Sequence, residues 1–209
     1  MNRRKFISGF VASSSFLLAG CSRTDTVSDM PRVYMGNPDA PITIVSHEDY
    51  SCPHCRDFAL NQFPEEVKPY VENGDVLYVR RDFPVVNSIS WRSGQFARAV
   101  QYHYDEYRES DFSMVPTDYW TAHDMLYENQ QAVISSPSSE YNSILSQLTG
   151  GDADTTLSDT SNGKFRPVVE NDRAAGNDIG VSQTPTILLN GNKVRRESGN
   201  IEESIKERL

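Results

Sequence analysis

The sequence predicts an α/β fold: a βαβ unit near one end, a ββα unit at the other and a block of helices between them. Three observations carry this. A β-branched run at 41–46 leads into a stretch with helical spacing and then into a second apolar strand. Residues from about 89 to 180 show no convincing strand pattern. An Asn-Gly turn between two short strands, followed by one more helical stretch, closes the chain.

Pro41-Ile42-Thr43-Ile44-Val45-Ser46 is β-branched and apolar and reads as a buried strand. A helix is expected after Cys52. Pro53 suits its first position, where a preset φ helps and a missing N–H costs nothing. Phe58, Ala59, Phe63, Val67, Tyr70 and Val71 recur at helical spacing, Pro64 predicts a kink, and Asn73-Gly74 ends the helix. Residues 76–83 form a second strand stopped by Pro84, and strand–helix–strand implies a parallel pair. Helices are expected over 91–107, 118–130, 139–148 and 165–179, with a flexible acidic loop at 150–154. Residues 186–189 and 193–196 read as strands joined at Asn190-Gly191-Asn192, the strongest short hairpin signal. Asn200-Ile201-Glu202-Glu203 resembles a capping box and so opens a closing helix.

Charge bounds the partners. The chain carries 29 acids against 20 bases, of which five are lysines. Arg3, Arg4 and Lys5 belong to the leader, so the rest of the chain is more acidic still. Such a surface repels nucleic acid and anionic membrane faces. Acidity together with lysine depletion reads as adaptation to high salt.

The first twenty residues have a charged start, an apolar middle and small residues before a cysteine, which marks an export signal. Arg3-Arg4-Lys5-Phe6-Ile7 resembles a twin-arginine motif, and Leu18-Ala19-Gly20-Cys21 resembles a lipobox that would lipidate Cys21. The apolar run 7–19 falls short of the ~20 residues of a spanning helix. The expected organisation is therefore a signal at 1–20, a tether at 21–31 and one folded domain at 32–209 with its helical insertion at about 88–180. The expected location is extracytoplasmic, lipid-anchored through Cys21. Cys52 and Cys55 then sit where disulfides persist.

Cys52-Pro53-His54-Cys55 admits several readings. A structural staple across two residues removes little chain entropy. A zinc site usually takes four ligands, and no second CxxC exists. Haem attachment needs CxxCH, whereas residue 56 is Arg. A redox pair is favoured, and a metal-handling module using Cys52, Cys55 and His54 stays as an alternative. A helix N-terminus offers unpaired N–H groups and a positive dipole end, both of which favour a Cys52 thiolate. His54 adds a donor or a charge. A stabilised thiolate stabilises the reduced pair and makes its disulfide a stronger oxidant. His47, Glu48 and Asp49 read as a strand end on a polar surface near the pair, His103 and His123 as structural or surface residues, and Trp91 and Trp120 as core.

"GNPDAPITIVSHEDYSCPHC" and "GVSQTPTILLNG", in this order and separation, resemble the DsbA-like branch of the thioredoxin superfamily over roughly residues 36–209. The resemblance implies a thioredoxin-like fold with a helical insertion and a protein disulfide oxidoreductase that needs no cofactor and no metal. It implies that Cys52 is the exposed sulfur a client attacks and Cys55 its buried partner. Pro185 would be a cis-proline opposite the pair, and Thr184 and Pro53 would join it in binding an extended client. Implied partners are unfolded or exported thiol proteins and a membrane partner that reoxidises, or reduces, the pair. No nucleic acid is implied, and the protein is expected to be a monomer. Two departures stand out. Ser46 occupies the position where many relatives carry a buried acid, so Glu48 or Asp49 would have to substitute, or no relay exists. Thr184 also occurs in relatives that reduce or isomerise disulfides, so donation is the leading direction and reduction or isomerisation the alternative.

Overall fold

The computed structural model describes residues 27, 30–105, 117–195 and 199–209. The expected leader, Cys21 and most of the tether lie outside the described residues, as do residues 106 and 107 of an expected helix and Arg196 of the last expected strand.

Among the described residues five strands form one sheet in the order β1-β3-β2-β4-β5: Val33–Met35 (β1), Ile42–Glu48 (β2), Val76–Asp82 (β3), Thr186–Leu189 (β4) and Asn192–Val194 (β5). β2 and β3 pair in parallel, Ile42 opposite Val76 and Glu48 opposite Asp82. This is the expected βαβ unit. β4 runs antiparallel to β2, with His47 opposite Thr186. β1 was not expected; its three residues acquire strand geometry by pairing with the edge of β3. β2 lies in the middle of the sheet and is buried more evenly towards its C-terminal end, which is where the site is built.

The helix after Cys52 runs as α1 (Pro53–Asp57), a π-wound segment (Phe58–Val67) and α2 (Lys68–Glu72). Pro64 lies inside the π-wound segment. It has no N–H to give and its ring crowds the preceding turn, so the expected kink is absorbed by local rewinding. Phe58, Val67 and Val71 are fully buried, as their spacing predicts.

Six helices lie between β3 and β4 among the described residues: Ser88–His103 (α3), Asp118–Glu128 (α4), Gln130–Ser135 (α5), Pro137–Leu145 (α6), Ala153–Ser161 (α7) and Arg166–Asp178 (α8). The helix expected over 118–130 breaks at Asn129, which leaves helical geometry at φ −96° and ψ 21°. The expected loop at 150–154 is shorter than predicted, because Asp152 accepts from the Thr155 N–H at 2.9 Å and starts α7. α7 is legible only in retrospect: its buried positions, Thr156 and Thr160, are polar and bond back to the carbonyls four residues earlier.

The hairpin forms at Asn190-Gly191, both with positive φ (47° and 81°), the geometry that matches strand twist. The final helix, Asn200–Lys206 (α9), is capped differently from expectation. Its N-cap is Gly199. The carboxylate of Glu66, from the π-wound segment, accepts from the N–H groups of Gly199 at 3.0 Å and Ile201 at 3.1 Å. A tertiary cap replaces the local box.

Candidate active site

Cys52 is the N-cap of α1, extended at φ −85° and ψ 121°, with Pro53 at the first helical turn. Its loop is held from several sides. The Asp49 carbonyl accepts from the Cys52 N–H at 3.0 Å. Gln130 Nε2 donates to the carbonyls of Tyr50 (2.9 Å) and Cys52 (3.0 Å). The Asp49 carboxylate accepts from the N–H groups of Ser51, Val85 and Val86 at 2.7–2.8 Å, tying the CPHC loop to the loop after β3. Asn87 caps α3 and accepts from Ser51 Oγ at 3.1 Å. These bonds fix the backbone on which the two sulfurs sit.

The two thiols have opposed environments. Cys52 keeps 6% of its surface exposed and Cys55 none, so the openly exposed sulfur expected at Cys52 is instead largely covered. Cys52 is lowered to about 5. The hydrogen bond from the Cys55 thiol contributes most; burial opposes it, and the Thr184 side chain and the N–H groups of Cys55 and His54 add to it. Cys55 is pushed well above the ordinary thiol range, first by burial, then by its bond to Cys52 and by the negative charge of Glu48.

Cys52 Sγ lies 3.4 Å from the Thr184 carbonyl, and the Thr184–Pro185 peptide is cis. The structure thus brings Cys52, Cys55, Thr184 and Pro185 together, with Pro53 and His54 exposed on the rim. His54 bears on the sulfur through its backbone N–H. An open cleft of about 570 Å³ flanks Pro53, lined by Arg56, Glu128, Asn129, Gln130 and Gln131. Among the described residues no group of three or more His, Cys, Asp and Glu side chains is placed to hold a metal ion.

The polar surface expected at His47, Glu48 and Asp49 is corrected: all three are buried. Each meets a different need. Asp49 holds the loops. His47 packs edge-on to Phe83 and is lowered to about 4, chiefly by burial. Glu48 lies behind Cys55. Its Oε1 accepts from Ser46 Oγ (2.5 Å) and Tyr78 OH (2.6 Å), and its Oε2 from Tyr127 OH (3.0 Å). His123 Nε2 stands 3.5 Å and Arg80 Nε 3.6 Å from Oε2. Burial pushes the Glu48 carboxyl up, but His123, Arg80 and the Ser46 hydroxyl outweigh it and hold the group at about 2. Ser46, at the position where an acid is missing, therefore binds the acid that sits two residues later.

Arg80 is buried in turn with Asp82 at 2.7 Å, and Arg98 bridges Asp82 at 2.9 Å and Asp172. Sequence reasoning did not single out Arg80, Gln130 or Tyr127. The available signal was Arg80 and Asp82 two apart on one face of an apolar strand, since a buried cation needs buried anions.

A thioredoxin family model matches residues 28–207. Disulfide bond formation protein D of Bacillus subtilis is 27% identical over 199 residues, covering 88% of this chain and 82% of that protein. The structure of oxidised BdbD from Bacillus subtilis superposes with a TM-score of 0.69 at 22% identity, covering 85% of this chain and 92% of that one. Chlamydia trachomatis DsbA gives 0.68 at 17%, covering 83% and 89%. With a sheet, a helical insertion and a paired-cysteine loop of this kind behind those likenesses, the chain belongs to the thioredoxin family, as a DsbA-like thiol:disulfide oxidoreductase.

Proposed function

We propose that the protein acts outside the cytoplasm as a disulfide donor to exported thiol proteins, with Cys52 and Cys55 as its redox pair. A client thiolate attacks Cys52 Sγ. The Cys52–Cys55 bond breaks, a client–Cys52 disulfide forms, and the Cys55 sulfur leaves with the electron pair and takes up one proton. A second client thiolate attacks the client sulfur, forming the client disulfide and releasing Cys52 as a thiolate. The enzyme is left two electrons reduced, and a membrane partner removes them. Thr184, Pro185 and Pro53 border the sulfur and bind the client's extended main chain, while His54 lies on the rim. The observation that carries this reading is the contrast between the thiols: Cys52 held at about 5, Cys55 well above the ordinary range. A stable leaving thiolate at Cys52 favours the reduced enzyme and thus donation.

Equilibration with glutathione tests the direction. The expected potential lies towards the DsbA figure of about −120 mV, and a value near the thioredoxin figure of about −270 mV would assign reduction instead. The acidic, lysine-poor surface supports a monomer suited to high salt. Cys21 is proposed as the lipid anchor, and Cys21→Ser should release the protein from the membrane fraction. Retention of that variant would refute the anchor.

A further inference from the structure

Opening the disulfide creates a thiolate where burial disfavours it, so Cys55 needs a proton source within the protein. The groups enclosed behind it can be sorted by what they can hold. Glu48, at about 2, stays ionised at any working pH and stores nothing. Tyr50, Tyr78, Tyr119 and Tyr127 are all raised by burial and stay neutral. Arg80 and Arg98 keep their charge.

His123 of α4 differs from all of these. It is 4% exposed and ringed by Tyr50, Tyr119, Trp120 and Tyr127 at centroid distances of 5.1–6.3 Å. Among the described residues its Nε2 has no hydrogen-bond partner closer than the Glu48 carboxylate at 3.5 Å. Its Nδ1 meets Asp124 Oδ1 at 2.9 Å, and the Asp124 side chain is 58% exposed. A ring between two carboxylates is suited to carrying two protons, one facing the site and one facing water. Arg80 of β3 opposes that charge, while Glu48 of β2 and Asp124 support it; beyond Tyr119 lie Asp82 of β3 and Arg98 of α3, already paired to each other. Burial pulls the ring down, but its two acidic partners outweigh it and hold it above its ordinary value.

We propose that His123 is the proton store of the buried thiol, giving its Nε2 proton through Glu48 to Cys55 when the disulfide opens and keeping its Nδ1 proton against Asp124 throughout. As the S–S bond breaks, the Cys55 sulfur carries off the electron pair, the imidazolium becomes neutral imidazole, and the Glu48 carboxylate passes the proton on without net change. His123 acts through Glu48 and is a positioning residue. Reoxidation runs the path backwards, the neutral ring receiving the proton that Cys55 sheds as it becomes the attacking thiolate.

The proposal rests on Cys52–Cys55 being the redox pair, and its test separates the two. The purified oxidised protein is reduced by a small dithiol across pH 5.5–9, with rates corrected for the dithiol's own thiolate fraction. Reduction at all establishes a working pair, and its absence would undo the proposed function. The shape of the curve tests His123. The wild type should fall roughly tenfold or more through a single ionisation as pH rises. His123→Gln should be flat at the lower level, and Asp124→Asn should move the ionisation to lower pH. Asp124 is exposed, so this second variant keeps the test open if His123→Gln folds poorly. A wild-type ionisation that survives in His123→Gln, or that stays in place in Asp124→Asn, overturns the proposal.

Discussion

Replacing Cys55 with Ala isolates the largest influence on Cys52. The bond from the Cys55 thiol comes first among the causes holding Cys52 at about 5. A hydrogen bond to a charged group is worth about 1.5–3 kcal/mol. Cys52 keeps a little of its surface exposed, so water replaces part of a lost donor and the low end applies, and that corresponds to about one pKa unit. The Cys52 midpoint should therefore rise from about 5 to about 6. At pH 5 the thiolate fraction should drop about fivefold, while the plateau rate at high pH should rise about threefold, because a more basic thiolate is the better nucleophile. The assay is the rate of alkylation at Cys52, followed by mass spectrometry of its peptide in the reduced protein from pH 3.5 to 9. The midpoint is the readout, since it is independent of the plateau. A variant midpoint still near 5 would show that the buried thiol does not hold its neighbour as an anion. A wild-type midpoint near the free-cysteine value of about 8.5 would refute the reasoning as a whole.

The same thiolate makes stability depend on redox state and pH. Its lowered value stabilises the folded reduced protein above the unfolded thiol value, and this contribution is lost as pH falls through about 5. The oxidised protein has no such group, and below pH 8 Cys55 is protonated whether folded or not. Thermal unfolding of both forms from pH 8 to 5 should show the reduced form losing ground steadily, and a constant gap would contradict the linkage. At the other end of the chain, Glu66→Ala removes the acceptor for the first N–H groups of α9. It should cost about 1–2 kcal/mol, or roughly 2–8 °C in melting temperature, and an unchanged melt would mean that those groups find other partners.

The features legible in the sequence are local ones. Pro53 after Cys52, the β-branched run into the CPHC loop and Asn190-Gly191 between strands each act within a few residues, and each appears where predicted. The misses share the opposite property. β1 exists because β3 offers it an edge, and its own three residues say little. The cap of α9 comes from Glu66, more than 130 residues away, which no local box can announce. His123 reads as a structural or surface histidine among tyrosines until the fold sets its ring 3.5 Å from the Glu48 carboxylate of β2.

The sequence alone determined that two thiols share one helix turn at the end of a strand, because strand propensity, a proline start and cysteine spacing are properties of neighbouring residues. The tertiary structure decided which carboxylate stands behind the buried sulfur and which ring stands behind the carboxylate. Glu48 and His123 are 75 residues apart, and only the closing of the helical block over the sheet removes the water that would otherwise screen them from each other.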